Sequence, residues 1–234
     1  MNKVHEEVGE FFTAWQIYRT VLTHNYMHHR EIYQAVSAFL AEHWATQPFK
    51  LLDLGCGDSS FIAQALHDKN IQHYLGFDLS DTALEIAAEN IALLGCKTDL
   101  INIDFMAGLA QTTEGFDVVF TSYALHHLNQ KEKAEFFRLA YKALTGNGIL
   151  IIVDVMREPD ESLSAHLNNY CLWVRNEWRQ FNEQELTAII QHISHNDMPE
   201  TEAQLLAMAE AEGFCSASCL FQVSRHQALV FSKK

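Results

Sequence analysis

The chain has 234 residues, 30 of them acidic and 16 basic, which gives a formal net charge of −14. Phosphate binding depends on clusters of Lys and Arg, and no basic run occurs here, so nucleic acid is not an expected partner. No apolar run reaches membrane-spanning length, so no membrane partner is expected either. The length suits one domain with a real core.

The cysteine pattern predicts a reducing environment. Five cysteines, an odd number, stand at positions 56, 96, 171, 215 and 219 without a CxxC motif. Such spacing suggests neither a disulfide framework nor a zinc site. The first seven residues lack the apolar segment of a secretory signal. We therefore expect free thiols and a cytoplasmic protein.

The first 47 residues are predicted to form helices that cover a pocket. Phe11, Trp15 and Tyr18 fall on one helical face, and Tyr33 belongs to a second such face further on. Aromatic stripes are usually core, so Phe11, Trp15 and Tyr33 are expected there. A polar and aromatic patch over residues 23–30, which includes His29, follows near a predicted helix break. The candidate ligand contacts from this region are Tyr18, Tyr26, His28, His29 and Arg30, of which Tyr18, Tyr26, His28 and Arg30 are expected to contact a substrate.

A strand, a glycine turn and a helix start follow at residues 51–66. Leu51 to Leu54 is an apolar run with one carboxylate, and Gly55 and Gly57 allow close approach of a ligand. The third glycine of a dinucleotide fingerprint is absent, since Ser60 stands in its place. Asp58 at the helix start would repel phosphate and suit a cation. These features favour S-adenosylmethionine, a cationic nucleoside without phosphates, with NAD as the rival ligand.

Two further strands end in acidic residues. Asp78 ends the second strand, where a carboxylate can accept both hydroxyls of a ribose, with a plain helix cap as the alternative. The third strand, 98–103, leads into Asp104 and Phe105, which could contact an adenine amino group and ring. The alternative for Asp104 is a turn residue. Strands alternating with helices at this rhythm predict a parallel sheet with helices on both faces.

Five motifs in this order resemble the class I S-adenosylmethionine-dependent methyltransferases of small molecules: DLGCGDS, GFDLS, NIDF, FDVVFTSYALHHL and LTGNGILIIVDV. The resemblance spans about Leu51 to Val155. It implies an α/β fold with a doubly wound, seven-stranded, mostly parallel Rossmann-like sheet and an antiparallel C-terminal hairpin strand. The cofactor residues that it implies are Asp53, Gly55, Cys56, Gly57, Asp78, Leu79, Asp104, Phe105 and Ser122.

The predicted organisation has four parts. Residues 1–47 form an N-terminal helical lid, and 48–155 form the S-adenosylmethionine-binding core. Residues 156–200 form a helical insertion or second lid, from which Tyr170 is a candidate substrate contact. Residues 201–234 supply a helix and the hairpin that completes the sheet.

The predicted chemistry is in-line methyl transfer to oxygen, nitrogen or sulfur of a small molecule. His126 and His127 lie just after the fourth strand and are the candidate bases. No metal site is expected, because His24 with His28, and the pair 192 and 195, lack a completing carboxylate or thiolate. A protein or tRNA methyltransferase and a non-catalytic scaffold are the alternatives. A homodimer is left open.

Overall fold

The computed structural model describes residues 16–113 and 115–233. Its described part contains one seven-stranded sheet with strand order β3-β2-β1-β4-β5-β7-β6. Strands β1 to β5 pair in parallel, and β7 runs antiparallel to both β5 and β6. The strands are β1 Phe49–Leu54, β2 Ile71–Asp78, β3 Lys97–Asn102, β4 Phe116–Ser122, β5 Leu144–Val155, β6 Ser216–Val223 and β7 His226–Ser232.

Helices connect the strands and cover both faces of the sheet. Residues 16–23 are helical and are called α1. The remaining helices are α2 His29–His43, α3 Ser60–Leu66, α4 Asp81–Ala92, α5 Phe105–Gln111, α6 Gln130–Ala143, α7 Leu163–Glu177, α8 Glu183–Asn196 and α9 Glu202–Ala211, with a 3-10 turn at Leu125–His127.

Strand β1 shows why the sheet has a core on each side. Its side chains alternate between faces, and both sets are buried, as expected for a central parallel strand. Leu52 and Leu54 join a core that includes residues of α5, α6 and α9. Phe49 and Leu51 join a second core with residues of α2, α3 and α4. The sheet is therefore doubly wound.

A third apolar cluster joins the N-terminal segment to the insertion between β5 and α9. It includes Val21 from α1, Val155 at the end of β5, and buried residues of α7 and α8. The ring of Tyr26 stacks on that of Trp178 with centroids 5.1 Å apart. The two predicted lid regions are thus packed against each other next to the carboxyl end of β5.

The predicted fold class is confirmed, and the differences concern element boundaries. Helix α6 begins at Gln130 because Asn129 forms a capping box with Glu132. Strand β5 is longer than its apolar stretch and begins at Leu144. The predicted stripe members Phe11 and Trp15 lie outside the described residues. Within the described part of the chain, no helix combines the length and apolar character needed to cross a membrane.

Candidate active site

The site lies where the strand order reverses. Strand β1 is flanked by β2 and β4, and the crevice at the carboxyl ends of such strands is where open α/β sheets bind ligands. Gly55 has a φ of +73°, and a side chain there would bring its Cβ within 3.0 Å of the Ala124 Cβ. The backbone N–H groups of Gly55 and Cys56 both donate to the Phe77 carbonyl at 2.9 Å. The glycine loop is therefore fixed against β2.

Asp78 fixes the rest of this loop. Its Oδ2 accepts a hydrogen bond from the Gly57 N–H at 2.8 Å, and its Oδ1 accepts from the Ser80 N–H at 2.9 Å. Helix α4 is capped by Ser80, whose hydroxyl accepts from the Ala83 N–H. Each carboxylate oxygen of Asp78 carries a second lone pair, so the group can still accept from a ligand hydroxyl.

Asp53 is a buried carboxyl at the bottom of the crevice. Its Oδ2 accepts a 2.6 Å hydrogen bond from the Tyr74 hydroxyl. Burial raises the pKa of Asp53 to about 7, with a further contribution from the Asp78 charge, while the Tyr74 hydrogen bond opposes the shift. A cationic ligand nearby would favour the ionised form, so this group couples cation binding to proton release.

Asp58 joins the glycine loop to the N-terminal helix α1. Its Oδ1 accepts hydrogen bonds from the Ser60 N–H at 3.0 Å and the Ser60 hydroxyl at 2.8 Å. The same oxygen accepts from the Tyr18 hydroxyl at 3.3 Å. Burial, followed by the Asp58 charge, raises the pKa of Tyr18. The carboxylate is thus buried at the start of α3, where its charge would repel a phosphate and attract a cation.

A cavity of about 330 Å³ opens over this loop and has a second, aromatic wall. His29 and Tyr33 from α2, Phe61 from α3 and Tyr123 after β4 form that wall. The His29 ring lies 4.9 Å from that of Tyr123 and 5.1 Å from that of Phe61. Burial lowers the pKa of His29 to about 4, so the imidazole is neutral at physiological pH. Its Nδ1 is buried without a hydrogen-bond partner.

The structure brings eight of the nine predicted cofactor residues to this cavity. Asp104 is exposed instead, and its Oδ1 caps α5 by accepting from the Ala107 N–H at 2.9 Å. This position corresponds to the turn alternative of the sequence analysis. The predicted residues that line the cavity are Asp53, Gly55, Cys56, Gly57, Asp78, Leu79, Phe105 and Ser122.

Of the predicted substrate contacts, only Tyr18 lines the cavity. The Tyr26 hydroxyl accepts from the Gln180 N–H, which joins the two predicted lid regions. The Tyr170 hydroxyl lies 3.1 Å from Nε2 of His226 on β7. The His28 ring meets the edge of the His226 ring at 5.2 Å. Arg30 is exposed and donates to the Thr23 carbonyl at 2.8 Å. The side chains of these four residues are therefore engaged with residues that do not line the cavity.

The two candidate bases differ in position. His127 lines the cavity and has a side chain 40% exposed. His126 is buried behind it, with Nδ1 2.5 Å from Asp154 Oδ1. Burial alone would lower the pKa of His126, but the adjacent Asp154 carboxylate outweighs burial and raises it. His127 is therefore the one of the pair that a ligand in the cavity could reach.

Three further lining residues differ in how the sequence analysis treated them. His29 was a candidate ligand contact, Tyr33 was interpreted as core, and Tyr123 was not assigned. Tyr123 follows β4 directly and adopts a φ of +53°. Its place after a strand end was a usable signal, whereas the contacts of His29 and Tyr33 depend on how α2 packs.

Comparison with known proteins identifies the family. A family profile described as "Methyltransferase domain" matches residues 46–213. A carboxy-S-adenosyl-L-methionine synthase of Campylobacter hominis is 30% identical over 118 residues, which are 50% of this chain and 49% of that protein. The chain thus matches about half the length of this relative.

Solved structures share the fold. A putative O-methyltransferase from Nostoc punctiforme aligns with a TM-score of 0.60 and 18% identity, over 86% of this chain and 55% of that one. A mycolic acid cyclopropane synthase complexed with S-adenosylhomocysteine aligns with a TM-score of 0.58 and 14% identity, over 85% of this chain and 82% of that one.

The chain belongs to the methyltransferase domain family, because the profile covers well over half of its length. The class predicted from its motifs, a class I S-adenosylmethionine-dependent methyltransferase with S-adenosylmethionine as cofactor, is confirmed.

Proposed function

We propose that this protein transfers the methyl group of S-adenosylmethionine to a small-molecule acceptor bound in the cavity between the glycine loop and α1–α2. The proposal rests on one observation, which is that the cavity has two walls of different chemical character. Acidic residues of the loop form one wall, and aromatic rings with a neutral imidazole form the other.

The acidic wall suits the cofactor. Asp53, Asp58 and Asp78 line the cavity, and no Lys or Arg lines it among the described residues. The sulfonium and ammonium groups of S-adenosylmethionine are cations, which carboxylates stabilise at close range. Asp78 is the proposed partner of the ribose hydroxyls, and Phe105 is the proposed neighbour of the adenine ring.

The aromatic wall suits a neutral and partly apolar acceptor. An anionic acceptor would find carboxylates and no cationic side chain in the described lining. A phenol, alcohol, amine or thiol group can instead hydrogen-bond to the unpartnered Nδ1 of His29. Because the pKa of His29 is about 4, this imidazole stays neutral at pH 7, so it orients the acceptor and does not take up the acceptor's proton.

The reaction needs an in-line approach to the methyl carbon. A lone pair of the acceptor forms the new bond to that carbon while the carbon–sulfur bond breaks, and S-adenosylhomocysteine leaves as a neutral thioether. The proton lost by a neutral acceptor passes to solvent or to a nearby base. His127 is the proposed base, since it lines the cavity and is accessible to water.

The test is a transfer assay with tritium-labelled S-adenosylmethionine and matched panels of phenols, amines, thiols and carboxylic acids. We expect label on members of the first three panels and not on the carboxylic acids. Bulk tRNA and denatured protein serve as macromolecular acceptors in parallel. Label confined to either macromolecule would contradict a small-molecule function.

A variant pair tests the acceptor wall. His29→Phe keeps a ring of similar size but removes the nitrogen, so we expect KM for the acceptor to rise at least tenfold with an unchanged Kd for S-adenosylhomocysteine. His43→Phe is the matched control, because His43 lies exposed at the other end of α2. An unchanged KM in His29→Phe would remove this imidazole from acceptor binding.

The remaining parts of the proposal concern the binding partners of the protein and its location in the cell. The net charge of −14 and the absence of basic runs support a small-molecule substrate over nucleic acid or a membrane surface. A cytoplasmic location is supported by the five cysteines without a disulfide-framework spacing. A homodimer stays an open prediction.

A further inference from the structure

Three potential metal ligands converge beside the cavity. One nitrogen each from His126 and His127, and one oxygen of Asp197, all lie within 4.8 Å of one another. Asp197 Oδ1 is 3.4 Å from His127 Nδ1 and 3.8 Å from His126 Nε2. Ligand atoms of a four-coordinate zinc ion, each about 2.0–2.1 Å from the metal, are separated by about 3.3 Å. The two distances to Asp197 Oδ1 are therefore close to those between the ligand atoms of a zinc site.

Asp197 is held in this position by its neighbour. It directly follows α8, and the N–H of Met198 donates to the His126 carbonyl at 2.7 Å. The next turn of chain is fixed by Lys133, which pairs with Glu200 at 3.3 Å. Asp197, 70 positions after His127, is therefore held beside the histidine pair by the backbone hydrogen bond of the next residue.

The Asp197 oxygen that faces the histidines has no hydrogen-bond partner. Oδ1 is buried. His127 Nδ1 lies 3.4 Å away and His126 Nε2 lies 3.8 Å away, but neither nitrogen makes a hydrogen bond to this oxygen. An unpartnered buried carboxylate oxygen costs free energy, so its presence between two imidazoles requires a reason. A bound cation would supply the missing partner.

His126 is arranged as a metal-bound histidine usually is. Asp154 is 97% buried, and its Oδ1 and Oδ2 lie 2.5 Å from His126 Nδ1 and 3.0 Å from the His126 backbone nitrogen. A carboxylate that accepts from one ring nitrogen fixes the tautomer and directs the other nitrogen toward a metal. Nε2 of His126 is the atom directed toward Asp197.

We propose that His126, His127 and Asp197 bind one divalent transition-metal ion of the zinc class at the edge of the cavity. Two imidazoles and one carboxylate are ligands that Zn²⁺ accepts, and three protein ligands leave a fourth position open. His127 lines the cavity, so that position is reachable from it. An ion there could polarise an oxygen or sulfur atom of a bound molecule. This departs from the expectation of no metal site.

In a chain that carries this ion, His127 cannot also serve as the base proposed above, because an imidazole bound to a metal through Nδ1 keeps its other nitrogen protonated. The proposal is tested by metal binding alone, without methyl transfer. The chain is purified without a histidine tag, stripped with a chelator, and titrated with Zn²⁺ and with Co²⁺ as a spectroscopic probe. We expect one equivalent of Zn²⁺ per chain by elemental analysis and visible absorption of a four-coordinate Co²⁺ complex.

Ligand variants locate the site. Asp197→Asn keeps the side-chain shape, and His127→Ala removes an accessible ligand; each should weaken Zn²⁺ affinity at least tenfold. Asp154→Asn should weaken it about 10- to 100-fold without removing a ligand. His195→Asn is the control, since this exposed histidine of α8 hydrogen-bonds to the Gln191 carbonyl. Circular dichroism and thermal melting establish that each variant is folded.

Two outcomes would overturn the proposal. One is a stripped wild-type chain that takes up no stoichiometric Zn²⁺ or Co²⁺. The other is stoichiometric binding that Asp197→Asn and His127→Ala both retain at wild-type affinity, because the ion would then be held elsewhere.

Discussion

The two walls of the cavity are built by different physical means. The glycine-loop wall is held by backbone hydrogen bonds between neighbouring strands and presents three carboxylates. The wall formed by α2 and Tyr123 is held by ring contacts between residues about 90 positions apart, and its imidazole is neutral. The difference shows how one cavity can hold a cationic cofactor against one side and a neutral acceptor against the other.

The walls also respond to pH in opposite directions. The folded-state pKa of Asp53, about 7, lies above its ordinary value, so its contribution to stability is present at low pH and is lost as pH rises to 7. The folded-state pKa of His29, about 4, lies below its ordinary value of 6.5, so its contribution is lost as pH falls from 6.5 to 4. The two pH ranges overlap between about 4 and 6.5, so the opposing contributions of Asp53 and His29 to stability largely cancel there.

The largest expected effect comes from breaking the glycine-loop wall. Gly57→Val forces a β-branched residue to a φ of +52° and points a side chain toward the Tyr18 hydroxyl, 3.4 Å from the new Cβ. We expect no measurable S-adenosylmethionine binding by calorimetry. Gly95→Val is the control, because Gly95 has a φ of +65° with nothing within 4 Å of the added Cβ. Retained affinity in folded Gly57→Val would defeat the loop as a cofactor site.

Removing one carboxylate should have a smaller effect. Asp78→Ala is expected to weaken S-adenosylmethionine binding by about 1–3 kcal/mol, because a charged hydrogen-bond acceptor is lost. Asp99→Ala on the next strand is the control, since Asp99 pairs with Lys97 away from this cavity. A Kd for Asp78→Ala equal to that of the wild type, in a folded variant, would place Asp78 outside the site.

The pH dependence of cofactor binding tests Asp53. Below pH 7 the Asp53 carboxyl is mostly protonated, so a bound cation has no negative charge there to interact with. The affinity for S-adenosylmethionine should therefore rise about tenfold between pH 6 and pH 8. Asp53→Asn should bind with a weaker and nearly constant Kd over the same range. A wild-type Kd that does not vary with pH would exclude coupling through Asp53.

The smallest effect is expected at Asp104. Because its side chain caps α5, Asp104→Ala should lower the free energy of unfolding by about 0.5–2 kcal/mol and leave the Kd for S-adenosylmethionine unchanged. Denaturant unfolding and calorimetry separate these quantities. A large loss of affinity would instead assign Asp104 to the adenine, as its sequence position suggests.

The two walls of the cavity also differ in how well their residues could be predicted from the sequence. Gly55, Gly57 and Asp78 were predictable because strand ends and turns are local features that parallel pairing brings together. The place of Tyr33 in the cavity wall was not, because it depends on the packing of α2 against α3 and β4. Asp197 was also missed, since a residue after α8 meets His126 only through tertiary contacts.

The central claim is that the acidic wall binds a sulfonium nucleoside, and calorimetric titration tests it directly. The purified chain is titrated separately with S-adenosylmethionine, S-adenosylhomocysteine and NAD. We expect micromolar Kd values for both sulfur nucleosides and no binding of NAD. The Kd for S-adenosylmethionine, which carries the sulfonium, should fall as pH rises. Binding of NAD alone, or of none of the three, would contradict the claim.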